Sequence, residues 1–165
     1  NKEAESAKKG NPSRIIIKVN SLTEQRLVQA LYKASQAGVK IDLIVRGICT
    51  LRPGIKGVSS NIKVRSIIGR FLEHTRVYYF YNNRTPLVYL SSADGMDRNL
   101  NNRIEVAFPL QDAKLARRVK KELEAYITDN TQSWVLQNDG SYQLNKPRKG
   151  EYRSAQRTLL GHLAD

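Results

Sequence analysis

"RIIIKVNSLTEQRLVQALYKASQAGVKIDLIV", from Arg14 to Val45, changes its periodicity twice. "RIIIKV" (Arg14–Val19) is a β-branched run that reads as a buried strand. Leu27, Val28, Leu31 and Ala34 then fall on one helical stripe, and Gly38 is placed to stop that helix. "VKIDLIV" (Val39–Val45) is a second buried strand. Strand, helix and strand in so short a span form a βαβ unit, with parallel strands and a right-handed crossover. Ligands of such sheets gather outside the carboxyl ends of the parallel strands. Those two ends carry Asn20 and Arg46. An arginine there either points its planar fork into a cleft or makes a surface salt bridge, and position alone leaves both readings open.

Working outward, "NKEAESAKKGNPS" (Asn1–Ser13) is polar and has no apolar face able to pack alone. It reads as a frayed helix tail or a terminal arm. On the other side, "GICTLRPGIKGVSSN" (Gly47–Asn61) is a loop holding Arg52 and Lys56. It lacks the G-x-x-x-x-G-K-[ST] spacing of a phosphate loop, and is either a mobile basic lid or an ordinary connection. "IKVRSII" reads as a strand, "GRFLEH" as a short helical turn, and "VYYFY" and "PLVYLSS" as strands joined by "NNRT". "RIEVAFPL" (Arg103–Leu110) is another strand. Asp112 is placed to cap a long helix that turns Leu115, Ala116, Val119, Leu123 and Ile127 inward. Its Arg117, Arg118, Lys120 and Lys121 mark a solvated face. A hairpin around Asp139–Gly140 and a last helix, "SAQRTLLGHLA", complete the chain. The fold class is α/β, with a mixed, mostly parallel sheet flanked by helices.

At 165 residues, 40% of them hydrophobic, the chain is long enough for one domain with a real core. No apolar run approaches a membrane span. The single cysteine, Cys49, cannot form an internal disulfide and fits a reducing cytoplasm. A net charge of +13 attracts polyanions: nucleic acid, acidic membrane, nucleotide or phosphate chains. Nucleic acid is the starting expectation. One cysteine and two distant histidines offer no zinc-ligand spacing, and no G-x-S-x-G elbow seats a serine triad. "TRVYYFYNNR" interleaves aromatic and basic residues that could stack bases, yet strand alternation favours core packing for most of them.

His74 is distinguished by its downstream neighbours. With Arg76 two places on, and Ser91, Ser92 and Asp94 beyond, it resembles the His-x-Lys and Gly-Ser-x-Asn elements of the phospholipase D-like family. An imidazole accepts or donates a proton near neutrality, and a guanidinium steadies phosphoryl oxygens. Arginine replaces lysine, Tyr81 stands where those phosphodiesterases place aspartate, and one motif is present where they use two.

Three longer segments decide between the classes. "SQAGVKIDLIVRGICTLRPGIKG", "VRSIIGRFLEHTRVYYF" and "YLSSADGMDRNLNNRIEVAFP" keep their order and spacing. Together they closely resemble the last, phospholipase D-like, catalytic domain of type-1 bacterial polyphosphate kinase, from about Arg14 to the C-terminus. The resemblance implies residues 14–165 as that domain, with 1–13 as a polar arm continuing from a longer chain. It implies an enzyme that reversibly transfers the terminal phosphate of ATP to inorganic polyphosphate through a phosphohistidine. It places that histidine, the magnesium-associated residues and an ATP-contacting tyrosine in the preceding domain, so Mg2+ is expected with its ligands outside this chain. His74 and Arg46 match family positions associated with ATP phosphates, and Glu105 matches a carboxylate important in the family. Arg76, Arg98 and Asn99 are motif neighbours expected to bind phosphate. Gly95 and Asn102 stand where the family pattern has an aromatic residue and an arginine. The partners implied are ATP or ADP, polyphosphate, the upstream domains and further copies of the enzyme. The location implied is cytoplasmic, or membrane-associated for the full-length protein. A nucleic-acid-binding module and a phospholipase D-like phosphodiesterase are the alternatives.

Overall fold

The parallel pair expected between Arg14 and Val45 forms the centre of the sheet. A computed structural model describes residues 1–147 and 150–164; Asp165, where the expected domain ends, lies outside them. Helix α1 (Lys2–Lys8) precedes strand β1 (Arg14–Val19), which pairs in parallel with β2 (Lys40–Val45), Arg14 opposite Lys40 and Val19 opposite Val45. Helix α2 (Gln25–Gln36) crosses between them. It begins at Glu24, whose carboxylate accepts the backbone N–H groups of Arg26 and Leu27 at 3.0 and 2.6 Å. It ends where Gly38 takes φ +99°, a left-handed conformation that favours glycine. β3 (Ile62–Ile67) continues the parallel set beside β2.

The remaining strands turn back. β4 (Val77–Phe80) lies antiparallel to β1, and β5 (Leu87–Ser91) antiparallel to β4. After helix α3 (Asp97–Asn101), β6 (Ala107–Pro109) closes one edge. Helix α4 (Ala113–Thr128) leads to β7 (Ser133–Leu136), antiparallel to β3, then β8 (Tyr142–Leu144) forms the other edge, and helix α5 (Ala155–Ala164) comes last. The order is β6-β5-β4-β1-β2-β3-β7-β8. The expectation of a mostly parallel sheet is therefore corrected. Only β1, β2 and β3 pair in parallel, because the short "NNRT" and "QNDGS" turns join antiparallel neighbours.

Other local readings also change. "GRFLEH" forms no helix: its backbone is tied to Gln156 through Phe71, whose N–H donates to Oε1 at 3.1 Å and whose carbonyl accepts Nε2 at 2.8 Å. Only the end of "RIEVAFPL" is strand, since Glu105 and its neighbours fold over α3. The polar start is a docked helix. Glu3 is buried and accepts the backbone N–H groups of Arg14 and Asn82, while Ala4 and Ala7 pack on the core. The Gly47–Asn61 loop is a packed connection rather than a lid. Leu51 and Ser59 are buried, Ser59 Oγ donates to the Arg52 carbonyl at 2.7 Å, and the Arg52 guanidinium grips the Asn138 carbonyl.

The sheet has two unlike faces. Ile15, Ile17, Val19, Ile41, Leu43, Val45, Ile62 and Val64 pack with α2 into an apolar core. The opposite face, under α4, mixes Ile16, Ile44, Ile67, Val77, Tyr79 and Leu123 with buried charge. Asp42 pairs there with Arg14 at 3.0 Å and Arg65 at 3.4 Å, and Arg14 reaches Glu124 of α4 at 2.6 Å. Leu115, expected inward on α4, is exposed at the first turn, beyond the reach of the sheet.

Removing one partner of a buried ion pair costs about 3–5 kcal/mol, because the other charge stays desolvated. Asp42→Asn should lower unfolding free energy by about 3 kcal/mol in urea titration. A shift within experimental error would mean that Asp42 contributes no net stability.

Candidate active site

Antiparallel pairing gathers distant segments at one edge. Lys18 faces Val77, Val77 faces Leu90, and Ser91 faces Ala107. The start of β4 and the end of β5 therefore lie beside the carboxyl ends of β1 and β2. His74, Arg76, Ser91, Ser92 and Asp94 meet Asn20 and Arg46 at that edge.

Asp94 is the hub. Its Oδ1 accepts the Asn20 backbone N–H at 2.7 Å, and Oδ2 accepts Asn20 Nδ2 at 3.2 Å and Arg76 Nη2 at 3.2 Å. Arg76 Nε lies 3.0 Å from Oδ1 as a charge contact without hydrogen-bond alignment. Arg46 Nε donates to Asn20 Oδ1 at 2.6 Å. One relay thus runs Arg46–Asn20–Asp94–Arg76. Burial disfavours the Asp94 charge, but Arg76 and the two Asn20 donors outweigh it and hold the carboxyl below its usual range. Tyr78, which donates to the Ala93 carbonyl at 3.1 Å, is pushed up to about 12 by burial and by the Asp94 charge.

Glu105 belongs to a second knot. It accepts hydrogen bonds from Ser92 Oγ and Asn99 Nδ2, which hold it below the ordinary carboxylate range. Among the described residues neither oxygen of Glu105 bonds to His74. Asn99 is buried, and its Oδ1 has no hydrogen-bond partner among the described residues. Arg98, on the same short helix, is exposed.

The cations differ in availability. Arg46, bonded at Nε to Asn20, is otherwise exposed and borders a cleft of about 300 Å³ with Ser66, Ile68, Trp134 and Tyr142. Arg76 is turned inward to Asp94, with only 16% of its side chain exposed. His74 lines a separate open cleft of about 430 Å³ with Thr75, Ser91, Ser92 and Phe108. The structure brings His74, Arg76, Ser92 and Asp94 together, attaches Arg46 through Asn20, and keeps Arg98 apart. Sequence reasoning marked Asn20 only by its strand end and did not find Lys18 and Glu73, a buried ion pair at 3.1 Å beneath His74. A lysine inside a β-branched run was the available signal.

The carboxyl edge of the parallel strands thus carries His74 in one cleft and the Arg46 guanidinium in another, a candidate site on an α/β fold. Comparison with known proteins narrows it. The family model for "Polyphosphate kinase C-terminal domain 2" matches residues 1–156, and the chain belongs to that family. It is 62% identical over 165 residues to the polyphosphate kinase of Pseudomonas aeruginosa, covering 99% of this chain and 24% of that protein. It is 49% identical to the polyphosphate kinase of Thermosynechococcus vestitus, covering 96% of this chain and 22% of that protein. The chain thus spans about a quarter of the length of these relatives. The crystal structure of polyphosphate kinase from Porphyromonas gingivalis superposes with a TM-score of 0.95 at 37% identity, covering 99% of this chain and 25% of that one. Nuc from Salmonella typhimurium, a phospholipase D family member, superposes at 0.53 with 19% identity over 73% of this chain and 82% of that one, a likeness of fold alone.

The depressed Asp94 value carries a stability consequence of definite sign. Its contribution is complete above the unfolded carboxyl value, about 3.9, and is lost as pH falls through the lower native value. The stability gap between the wild type and Asp94→Asn should be constant above about pH 5 and close below about pH 4 in chemical denaturation. A gap that stayed level throughout acidification would show that the Asp94 charge does not carry it.

Proposed function

We propose that this chain supplies one side of a polyphosphate kinase active site, in an enzyme that reversibly transfers the terminal phosphate of ATP to inorganic polyphosphate. The reading is carried by one coincidence: a member of the polyphosphate kinase family has His74 and an exposed Arg46 on the same carboxyl edge of its parallel strands. The histidine that is phosphorylated belongs to another part of the enzyme, which fits relatives about four times as long. His74 then acts on the phosphoryl group in transfer as an acid/base or orienting group. Arg46, anchored at Nε by Asn20, presents its two Nη nitrogens to the nucleotide phosphates as a fork.

Arg76 acts differently from the phosphate ligand expected at its place. Its guanidinium neutralises Asp94 and fixes the turn that carries His74, leaving less of its charge for an anion. Glu105 shapes the rim through Ser92 and Asn99. Arg98 and the remaining surplus of positive charge attract polyphosphate at longer range, an attraction that weakens with salt. A kinase of this family needs a metal ion, and Mg2+ is the ion we propose. We assign its donors to the part of the enzyme that precedes this chain. No described helix is long and apolar enough to cross a membrane. We place the complete enzyme in the cytoplasm as a homo-oligomer whose upstream domains complete this site.

His74→Gln keeps size and hydrogen bonding but removes the imidazole as a proton donor and acceptor. In the full-length enzyme it should reduce polyphosphate synthesis by about 10²–10⁴-fold with little change in melting temperature or polyphosphate affinity. Near-wild-type turnover would overturn this role for His74. Arg46→Lys loses the bidentate fork and should reduce activity about 10- to 100-fold while stability changes little. Normal kinetics with a large fall in melting temperature would make Arg46 structural instead.

A further inference from the structure

His74 lies in a segment, Ile68–Arg76, that is neither helix nor strand, and Phe71 and Leu72 beside it are exposed. Among the described residues no hydrogen bond reaches its imidazole. The position of the ring therefore depends on the backbone that carries it. That backbone is held from beneath by Lys18.

Lys18 is buried on the α4 face of β1, with 2% of its side chain exposed. Its Nζ lies 3.1 Å from Glu73 Oε2 and donates to the Thr75 carbonyl at 3.2 Å. One ammonium thus grips the residue before His74 and the residue after it. The Tyr126 ring of α4 lies 4.9 Å from Nζ. The other Glu73 oxygen accepts Gln156 Nε2 of α5 at 2.8 Å, and the same amide also holds Phe71. Burial pulls the Lys18 ammonium down from its ordinary value, Glu73 opposes this, and Arg46 and Arg76 add repulsion. An apolar residue would fill such a position at less desolvation cost, since a buried ion pair adds little net stability over a hydrophobic replacement. What the pair supplies is geometry on both sides of His74, through the Glu73 carboxylate and the Thr75 carbonyl.

We propose that Lys18, paired with Glu73, is a positioning residue that holds the His74 imidazole in its working place. This rests on the reading of His74 as a group acting on the transferred phosphate. Displacement of a reacting group by about 1 Å costs about 100-fold in rate, while binding by separate cations is spared. Loss of the clamp should therefore lower kcat and leave KM for ATP nearly unchanged.

The test uses the full-length enzyme, with ATP and polyphosphate as substrates. Lys18→Met leaves Glu73 buried without its cation and risks the fold, so the decisive variant is Lys18→Met/Glu73→Gln, which removes both charges together. It should melt near the wild type yet lose kcat by about 10- to 100-fold, with KM for ATP within about threefold. Glu73→Gln alone provides a second readout that foldedness does not move. Lys18 loses its counter-ion there while Tyr126, Gln156, Arg46 and Arg76 still face it. Its ammonium then deprotonates earlier, and kcat per folded molecule should decline with rising pH at lower pH than in the wild type. A folded double variant with wild-type kcat, or an unchanged pH profile for Glu73→Gln, overturns the proposal. His74→Gln measured alongside separates the two readings. If it is inactive while the clamp variants are normal, only the clamp is wrong; if it too is fully active, the role of His74 is wrong.

Discussion

The Asp94 carboxylate is the interaction on which the site depends. It lies in a connection after β5 and binds the end of β1 through Asn20 and the approach to β4 through Arg76. These segments are far apart in sequence and carry unlike side chains, so hydrophobic packing alone would leave their relative height unspecified. A buried carboxylate sets it instead. Taken from water, it requires several donors at fixed distances, and an error in register would leave charge unpaired at high cost. Arg46 inherits its position from the same requirement, because the Asn20 amide that donates to Asp94 also accepts from Arg46.

The two faces of the sheet divide the work. Under α2, close-packed aliphatic side chains supply the non-directional drive to fold. Under α4, Arg14, Lys18, Asp42 and Arg65 substitute directional contacts for part of that packing. Such contacts specify geometry more than they add stability. The edge that carries Asn20 and Arg46 lies where that polar face ends, and there the Lys18–Glu73 pair bears directly on the segment that carries His74.

The sequence made this division only partly legible. The βαβ unit could be read because its apolar residues repeat locally, at periods of two and 3.6. Arg46 could be placed at the strand edge for the same reason, and His74 by its spacing to Arg76 and Asp94. The buried charges could not. Lys18 and Asp42 sit within β-branched runs, and their partners Glu73, Tyr126, Arg14 and Arg65 come from other elements. Local periodicity carries no record of such pairs. "GRFLEH" failed likewise: its helical composition is overridden by Gln156, 85 residues beyond Phe71. Gly95 marks a further departure, because a side chain there would begin 2.7 Å from Leu22 Cδ1, so the aromatic of the family pattern does not fit this packing.

The strands that bound the sheet have a consequence for the domain as a material object. β6 and β8 are each three residues long, and β6 ends in Pro109, which has no N–H to offer a ladder. A growing stack of chains needs a long, flat row of unpaired amides as its template. Here the apolar side chains of Ile104, Val106 and Phe108 are exposed, but the backbone beside them is too short and too interrupted to seed such a stack. The domain can therefore display a greasy margin without that margin becoming the start of a fibre.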